Sequence, residues 1–210
     1  MKTQKDTNPL VRAYTPAWRP PNASLAGMVV VIDPAGGGSD SDDGRRVDDL
    51  AVMTGAVLFH FVQQAGGIPI MTRADDNPAI QRAELREGQF IATEQSNRDH
   101  TSPSSSTITV SIAFELTDSD SGTAIAVQPT SADSSGEQLA TALREAMSCV
   151  SSHQPTVAPH ACKKGSPSCL ITFQLAAPIV RAQRAPRIPR EAAARICRGL
   201  IAFQSANTES

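Results

Sequence analysis

Two periods of apolar residues organise this chain. Met28 to Asp33, "MVVVID", is an unbroken apolar run that closes on Asp33-Pro34 and then empties into "AGGG". A run that short, bounded by Pro and Gly, predicts a buried strand followed by a turn. From Arg45 to Ala65 the apolar residues Val47, Leu50, Ala51, Val57, Leu58, Phe61 and Val62 recur in steps of three and four. That spacing predicts a helix with one buried face, ended by Gly66-Gly67. Ile68 to Thr72 reads as a second short strand. Asn77-Pro78 supplies a cap and a first-turn proline for a helix running to Gln95, weakened by Gly88. A polar, serine-rich loop follows over 96–106.

The second half repeats the alternation. Thr107 to Phe114, "TITVSIAF", is β-branched and strand-like, and Thr123 to Gln128 is another strand. Ser134 with Glu137 forms a capping box for a helix burying Leu139, Ala140, Leu143, Met147 and Val150. Residues 151–168 are irregular. Cys169 to Leu175 reads as a strand. Pro189 opens a last helix with Ala193, Ile196, Cys197, Leu200 and Ile201 facing inward. Strands alternating with helices predict an α/β fold: a mainly parallel central sheet with helices on both faces. The expected division is an extended, proline-punctuated arm over 1–27, one α/β domain over 28–205, and a short tail over 206–210. In such sheets sites lie past the carboxyl ends of the strands. The turn after Asp33, the segment after Ser111 and the end of the Cys169 strand are therefore expected to converge.

Composition narrows the function. A length of 210 residues suffices for one domain with its own core. Aromatics at 4% are too few for a base-stacking platform, and a net charge of −2 with dispersed Lys and Arg lacks a nucleic-acid footprint. "RAQRAPRIPR", residues 181–190, is the one basic cluster and reads as a solvated loop. No segment has the ~20 apolar residues of a membrane span. The first 27 residues lack the apolar core of a signal peptide, so the chain as written is expected in the cytoplasm, or in the cell envelope if a signal preceded it. Of the four cysteines, Cys169 and Cys197 fall within apolar patterns and read as core; Cys149 and Cys162 bracket a loop and could pair in an oxidising compartment.

The glycine turn poses the chemical question. "GGGSDS" is neither a dinucleotide fingerprint nor a P-loop, and Asp40, Asp42 and Asp43 would repel a phosphate. The order of the surrounding pieces says more. "VVIDPAGGG" resembles the I-D-P-G-H-G-G opening of the zinc-dependent N-acetylmuramoyl-L-alanine amidases. "RRVDDLAV", "AGGIPIMTRADD", "ELREGQFIA" and "TVSIAFE" resemble, in the same order, that family's E-K-x-x-x-L-A-V, A-G-x-x-V-x-x-T-R-x-x-D, L-x-x-R-x-x-x-A and F-x-S-I-H-x-N. "SSGEQLATALREAM", "SPSCLITFQL" and "REAAARICRGLIAFQ" are similar to its later helix, P-x-x-L-V-E-x-G-F strand and closing helix. The resemblance spans residues 28–205.

It implies a zinc ion held by two histidines and a glutamate, with a second glutamate working on the attacking water. Carried onto this chain, the first histidine falls on Gly36, the metal-binding glutamate on Arg45, the second histidine on Ala113 and the catalytic glutamate on Thr172. Glycine and alanine offer no donor atom, arginine stays protonated, and threonine transfers no proton near neutral pH. The resemblance therefore implies a vestigial pocket, with no catalytic residue and no zinc. Strand alternation puts Glu115 on the face of Ala113 and Gln174 on that of Thr172. Arg45 is expected to stand in for the ion by pairing with Glu115 or Asp33.

Three functions stay open. The first is a catalytically inactive amidase-fold protein that binds peptidoglycan fragments or plays a regulatory or structural part. The second is an active metal-dependent hydrolase with a relocated site using Asp43 and Glu115, with or without a histidine. The third is a protein–protein interaction module of the cell envelope, with the basic loop and the arm as contacts. His60 reads as a packing or surface residue. His100, His153 and His160 show no zinc spacing, and Arg73 and Asp76 match positions that look structural. Ser111, on a strand without a sharp G-x-S-x-G turn, does not read as a nucleophile.

Overall fold

A computed structural model describes residues 18–35, 42–72, 106–117, 124–130, 134–147, 166–176, 180 and 187–208, with backbone only for 42–46. Five strands form one mixed, mostly parallel sheet: β1 (Met28–Pro34), β2 (Ile68–Met71), β3 (Ser106–Thr117), β4 (Ala124–Pro129) and β5 (Ser168–Ala176), in the order β2-β1-β3-β5-β4. All neighbours are parallel except β4 against β5. The helices are α1 (Asp42–Gln64), α2 (Ser134–Met147) and α3 (Arg187–Thr208).

The unbroken apolar reading of β1 follows from its place. It lies second in the sheet, is buried along its whole length, and pairs on both sides, Val31 with Ile70 of β2 and with Thr109 of β3. Edge position explains β2. Ile68 is 54% exposed, and Pro69, which has no N–H to give a ladder, sits on the outer strand.

One face of the sheet carries Val30, Ile32, Ile108, Val110, Ile112, Phe114, Ile125, Val127, Ile171 and Phe173. The three described helices pack on it as one layer: α1 over β1–β3, α2 over β4 and β5, and α3 between the two helices. Phe114 and Phe173 stack 4.9 Å apart across the β3–β5 pair. The opposite face is also buried but is much more polar, with Asp33, Thr109, Ser111, Ser168 and Thr172 on it. The expected helix from Asn77 and the segments 96–105 and 151–165 lie outside the described residues, as do Val150, Cys149 and Cys162.

Gly66 shows why α1 stops. Its φ is +81°, in the left-handed region that glycine enters freely. The Gly67 N–H donates to Val62 O and the Gly66 N–H to Gln63 O, the paired bonds of a Schellman cap.

Three boundaries differ from the sequence reading. Residues 18–27 are not a free arm. Leu25 is fully buried and its N–H donates to Ala65 O; Trp18 meets Phe61 edge-on at 5.6 Å, and the Arg198 guanidinium lies 4.8 Å from the Trp18 ring centre. Two anchors in a polar, proline-rich stretch were enough to bind it to α1 and α3. The last helix continues to Thr208, three residues beyond the expected boundary, with Thr208 Oγ1 donating back to Gln204 O and Ser205 O. The basic stretch 181–190 is helical from Arg187 onward, because a proline at Pro189 is tolerated in a first turn whose N–H groups have no helical partner.

The α2–α3 contact gives a prediction whose sign tests the packing. A Cβ at Gly199 would lie 2.8 Å from Leu143 Cδ2 and 3.0 Å from Leu143 Cα. Gly→Ala inside a helix ordinarily gains up to about 1 kcal/mol. Here the backbone of α2 must move, so Gly199→Ala is expected to lose about 1–3 kcal/mol in urea unfolding.

Cys197 and Cys169 are buried free thiols, as their apolar setting implied. Burial pushes the Cys197 thiol up to about 12 from 9.0. Both states are protonated below pH 9. Above it the unfolded chain loses the proton first, so this residue's contribution to stability falls as pH rises from about 9 towards 12. Iodoacetamide at pH 8 should leave Cys197 unlabelled in the native protein and label it in 6 M guanidinium, as read by peptide mass mapping.

Candidate functional site

The polar face is organised around Asp33, the next-to-last residue of β1. Ile32 faces the helices, so alternation turns Asp33 to the other side. Its Oδ1 accepts from Thr72 Oγ1 at 2.6 Å and its Oδ2 from Ser111 Oγ at 2.9 Å. Thr72 follows β2, and Ser111 is the register partner of Asp33 on β3. One carboxylate thus ties the carboxyl ends of β1 and β2 to the middle of β3. The backbone continues the seam: the Thr72 N–H donates to Ile32 O at 2.9 Å and the Ala35 N–H to Ile112 O at 2.7 Å. These three side chains belong to three separate family-like motifs, "VVIDPAGGG", "AGGIPIMTRADD" and "TVSIAFE". The sequence pointed to the motifs but not to this junction.

One register step beyond Ser111, a row of small residues crosses the sheet. Ala113 of β3 pairs with Thr172 of β5, which pairs in turn with Ala126 of β4. Ala35 packs with Ala113 and Leu170 in a small cluster separate from the main core. The next step holds Glu115, Gln174 and Ala124, with Gln174 Nε2 donating to Glu115 Oε2 at 3.4 Å.

The structure therefore brings two of the predicted site positions, Ala113 and Thr172, side by side, with Glu115 on the same face. Gly36, immediately after Ala35, lies outside the described residues. Arg45 lies in the first turn of α1, and its side chain lies outside them too, so its expected pairing with Glu115 or Asp33 falls there as well. Asp33 accepts from both hydroxyls of the strand junction. His60, expected as a packing or surface residue, is exposed on α1 with its ring edge-on to Phe59 at 5.9 Å. His100, His153, His160, Arg73 and Asp76 are outside the described residues.

A zinc ion does not fit the donors at this row. Ala113 presents a methyl group, and Thr172 Oγ1 is a neutral hydroxyl, fully buried and without a hydrogen-bond partner among the described residues. Zinc is held by thiolate, imidazole or carboxylate. Among the described residues no group of three or more His, Cys, Asp or Glu could hold a metal ion. No helix among them is long and apolar enough to cross a membrane.

The five-stranded mixed, mostly parallel sheet is an amidase-like α/β fold by comparison with solved structures. No family model matches the chain, and no curated protein does. Among solved structures, the apo N-acetylmuramyl-L-alanine amidase Ami1 of Mycobacterium abscessus superposes with a TM-score of 0.61 at 18% identity, covering 85% of this chain and 99% of that one. The N-acetylmuramoyl-L-alanine amidase AmiC2 of Nostoc punctiforme gives 0.58 at 21% identity, over 86% and 99%. The CwlD amidase of Clostridioides difficile, solved in complex with the GerS lipoprotein, gives 0.58 at 15% identity, over 85% and 98%. The chain has the fold of an N-acetylmuramoyl-L-alanine amidase catalytic domain. Identities this low carry the fold, and a fold alone does not carry an activity.

The Asp33 junction makes a direct prediction. Asp33→Ala leaves the Thr72 and Ser111 hydroxyls without their acceptor, at about 1–3 kcal/mol each, so the variant is expected to lose about 2–5 kcal/mol in urea unfolding. Asp33→Asn, which keeps one carbonyl acceptor, should lose clearly less. Equal stability of Asp33→Ala and the parent would show that the junction holds nothing together.

Proposed function

We propose that this chain is an amidase-fold protein that binds peptidoglycan fragments and does not hydrolyse them by the zinc route. The observation that carries the reading is the pairing of Ala113 with Thr172 at the buried carboxyl end of the sheet. These are the positions where the resemblance puts the second histidine and the catalytic glutamate. In their place the chain has one methyl group and one hydroxyl. The first can bind no cation; the second cannot act as a base near neutral pH. Gly36 and Arg45 complete the vestigial pocket in this reading, with Glu115 at its mouth, and the functional unit is the domain over 28–205.

The retained frame supports binding. Asp33, Thr72 and Ser111 keep the strand ends in register, so a cleft shaped for a cell-wall glycopeptide can persist after the ligands of the metal are gone. No observation favours a relocated metal site: among the described residues no donor cluster exists to build one.

The test uses the full chain. Metal analysis after purification in zinc-supplemented medium is expected to give far less than one zinc per chain. Incubation with purified sacculi should release no stem peptide by chromatography, while the protein co-sediments with the sacculi. Stoichiometric zinc with peptide release would overturn the inactive reading; absence of co-sedimentation would overturn the peptidoglycan reading.

A further inference from the structure

We propose that a cavity beneath the first turns of α3 is a binding site for an aliphatic carboxylate of medium chain length, its tail inward and its carboxylate on Arg195. A space of about 300 Å³ remains there between the helix and the sheet. Its floor is apolar. Ile125 and Phe173, register partners on β4 and β5, line it from the sheet together with Leu175, two residues further along β5. Ala192 faces them from the helix. None of these four is more than 5% exposed. They belong to the helix-covered face, so the cavity shares no residue with the Asp33 junction or with the Ala113–Thr172 row.

The packing explains why the space is left. α3 makes its main contacts with α1 and α2 rather than with the strands. The Phe173 ring is held in a stack on Phe114 at 4.9 Å instead of turning into the gap. Close-packed interiors hold few voids larger than a water molecule, and the atoms that line a void lose their dispersion partners on that side. A space of about 300 Å³ is of the size that ligand pockets have.

The mouth carries the charge. Ile188 there is half-buried, and the Arg195 and Glu191 side chains are 32% and 66% exposed. The Arg195 guanidinium is fixed from two sides. Nη1 donates to Met147 O, at the end of α2, at 2.9 Å, and Nη2 donates to Glu191 Oε1 at 2.8 Å. Among the described residues these contacts use two of its five N–H groups. The remainder can receive a carboxylate, the acceptor that suits a guanidinium best. From Arg187 to Arg198 the helix carries four arginines against the single acid Glu191, which favours an anion over a cation. The apolar floor favours an aliphatic tail over a sugar or a nucleotide. At a liquid-like share of about 30 Å³ per non-hydrogen atom the space holds about ten, a chain of about eight carbons with its carboxylate oxygens.

The probes are butanoate, hexanoate, octanoate and octan-1-ol, titrated onto the full chain by calorimetry and by thermal shift, since a ligand of the native state raises Tm. Carboxylate affinity is expected to rise about fourfold per added methylene up to octanoate. Octan-1-ol, which buries a similar tail without the charge, should bind about tenfold more weakly than octanoate. Ile188→Trp, at the half-buried mouth, should fold and lose octanoate binding. Arg195→Met should bring octanoate down to the level of the alcohol. That variant also loses the Met147 contact and some stability, so Glu191→Gln keeps the test decisive. It frees the guanidinium from a competing carboxylate and should tighten octanoate severalfold while leaving octan-1-ol unchanged. No response to octanoate, equal affinity for alcohol and carboxylate, or an unchanged octanoate affinity in Glu191→Gln overturns the proposal. Sacculus binding, proposed for the opposite face, should ignore Ile188→Trp, so the loss of either reading leaves the other standing.

Discussion

Two hydroxyls converge on one buried carboxylate, and the rest of the polar face is arranged around that contact. Burying the Asp33 carboxylate away from water costs several kcal/mol unless its oxygens are hydrogen-bonded. Thr72 and Ser111 supply those bonds from the strands on either side. The two donors lie 39 and 78 residues along the chain from Asp33, so they meet it only when β2, β1 and β3 lie parallel and in one register. A slip of one residue would turn Asp33 into the apolar helix layer and leave both hydroxyls without it. The junction is therefore a specificity device as well as a source of stability.

From it follows the placement of the site. With Asp33 fixed opposite Ser111, the next residues on that face of β3 are Ala113 and Glu115, and β5 brings Thr172 and Gln174 beside them. The two faces of the sheet then divide the work. The helix-covered face carries nearly all the large apolar side chains, while the other carries hydroxyls, one carboxylate junction and small residues. Stability resides mainly in the first, which frees the second to hold an unsatisfied hydroxyl. In the proposed reading this division also lets an amidase-like fold persist with other residues at the ligand positions, because the core does not depend on them.

Most strands were legible because they are long, apolar and buried, and all three described helices because their apolar residues recur at helical spacing. The exceptions have physical causes. The N-terminal stretch read as an extended arm because its apolar anchors among the described residues, Trp18 and Leu25, make no periodic pattern. Ile201 was expected inward but is only partly buried at the margin of the core. The direction of β4 left no trace in the chain, because parallel and antiparallel strands obey the same alternation. Likewise Ser111 could be read only as a polar residue within a strand, and Thr72 as one at a strand end.

By itself the sequence determined which segments become strands and helices, which side of each is apolar, and what side-chain chemistry stands at Gly36, Arg45, Ala113 and Thr172. Those are local properties, fixed by periodicity and by side-chain chemistry. Only the tertiary structure decided that Asp33 accepts from Thr72 and Ser111, that Ala113 and Thr172 are neighbours, and that Thr172 is buried without a hydrogen-bond partner among the described residues. Contacts between residues tens of positions apart depend on strand order and register, and those are set by the packing of the whole sheet.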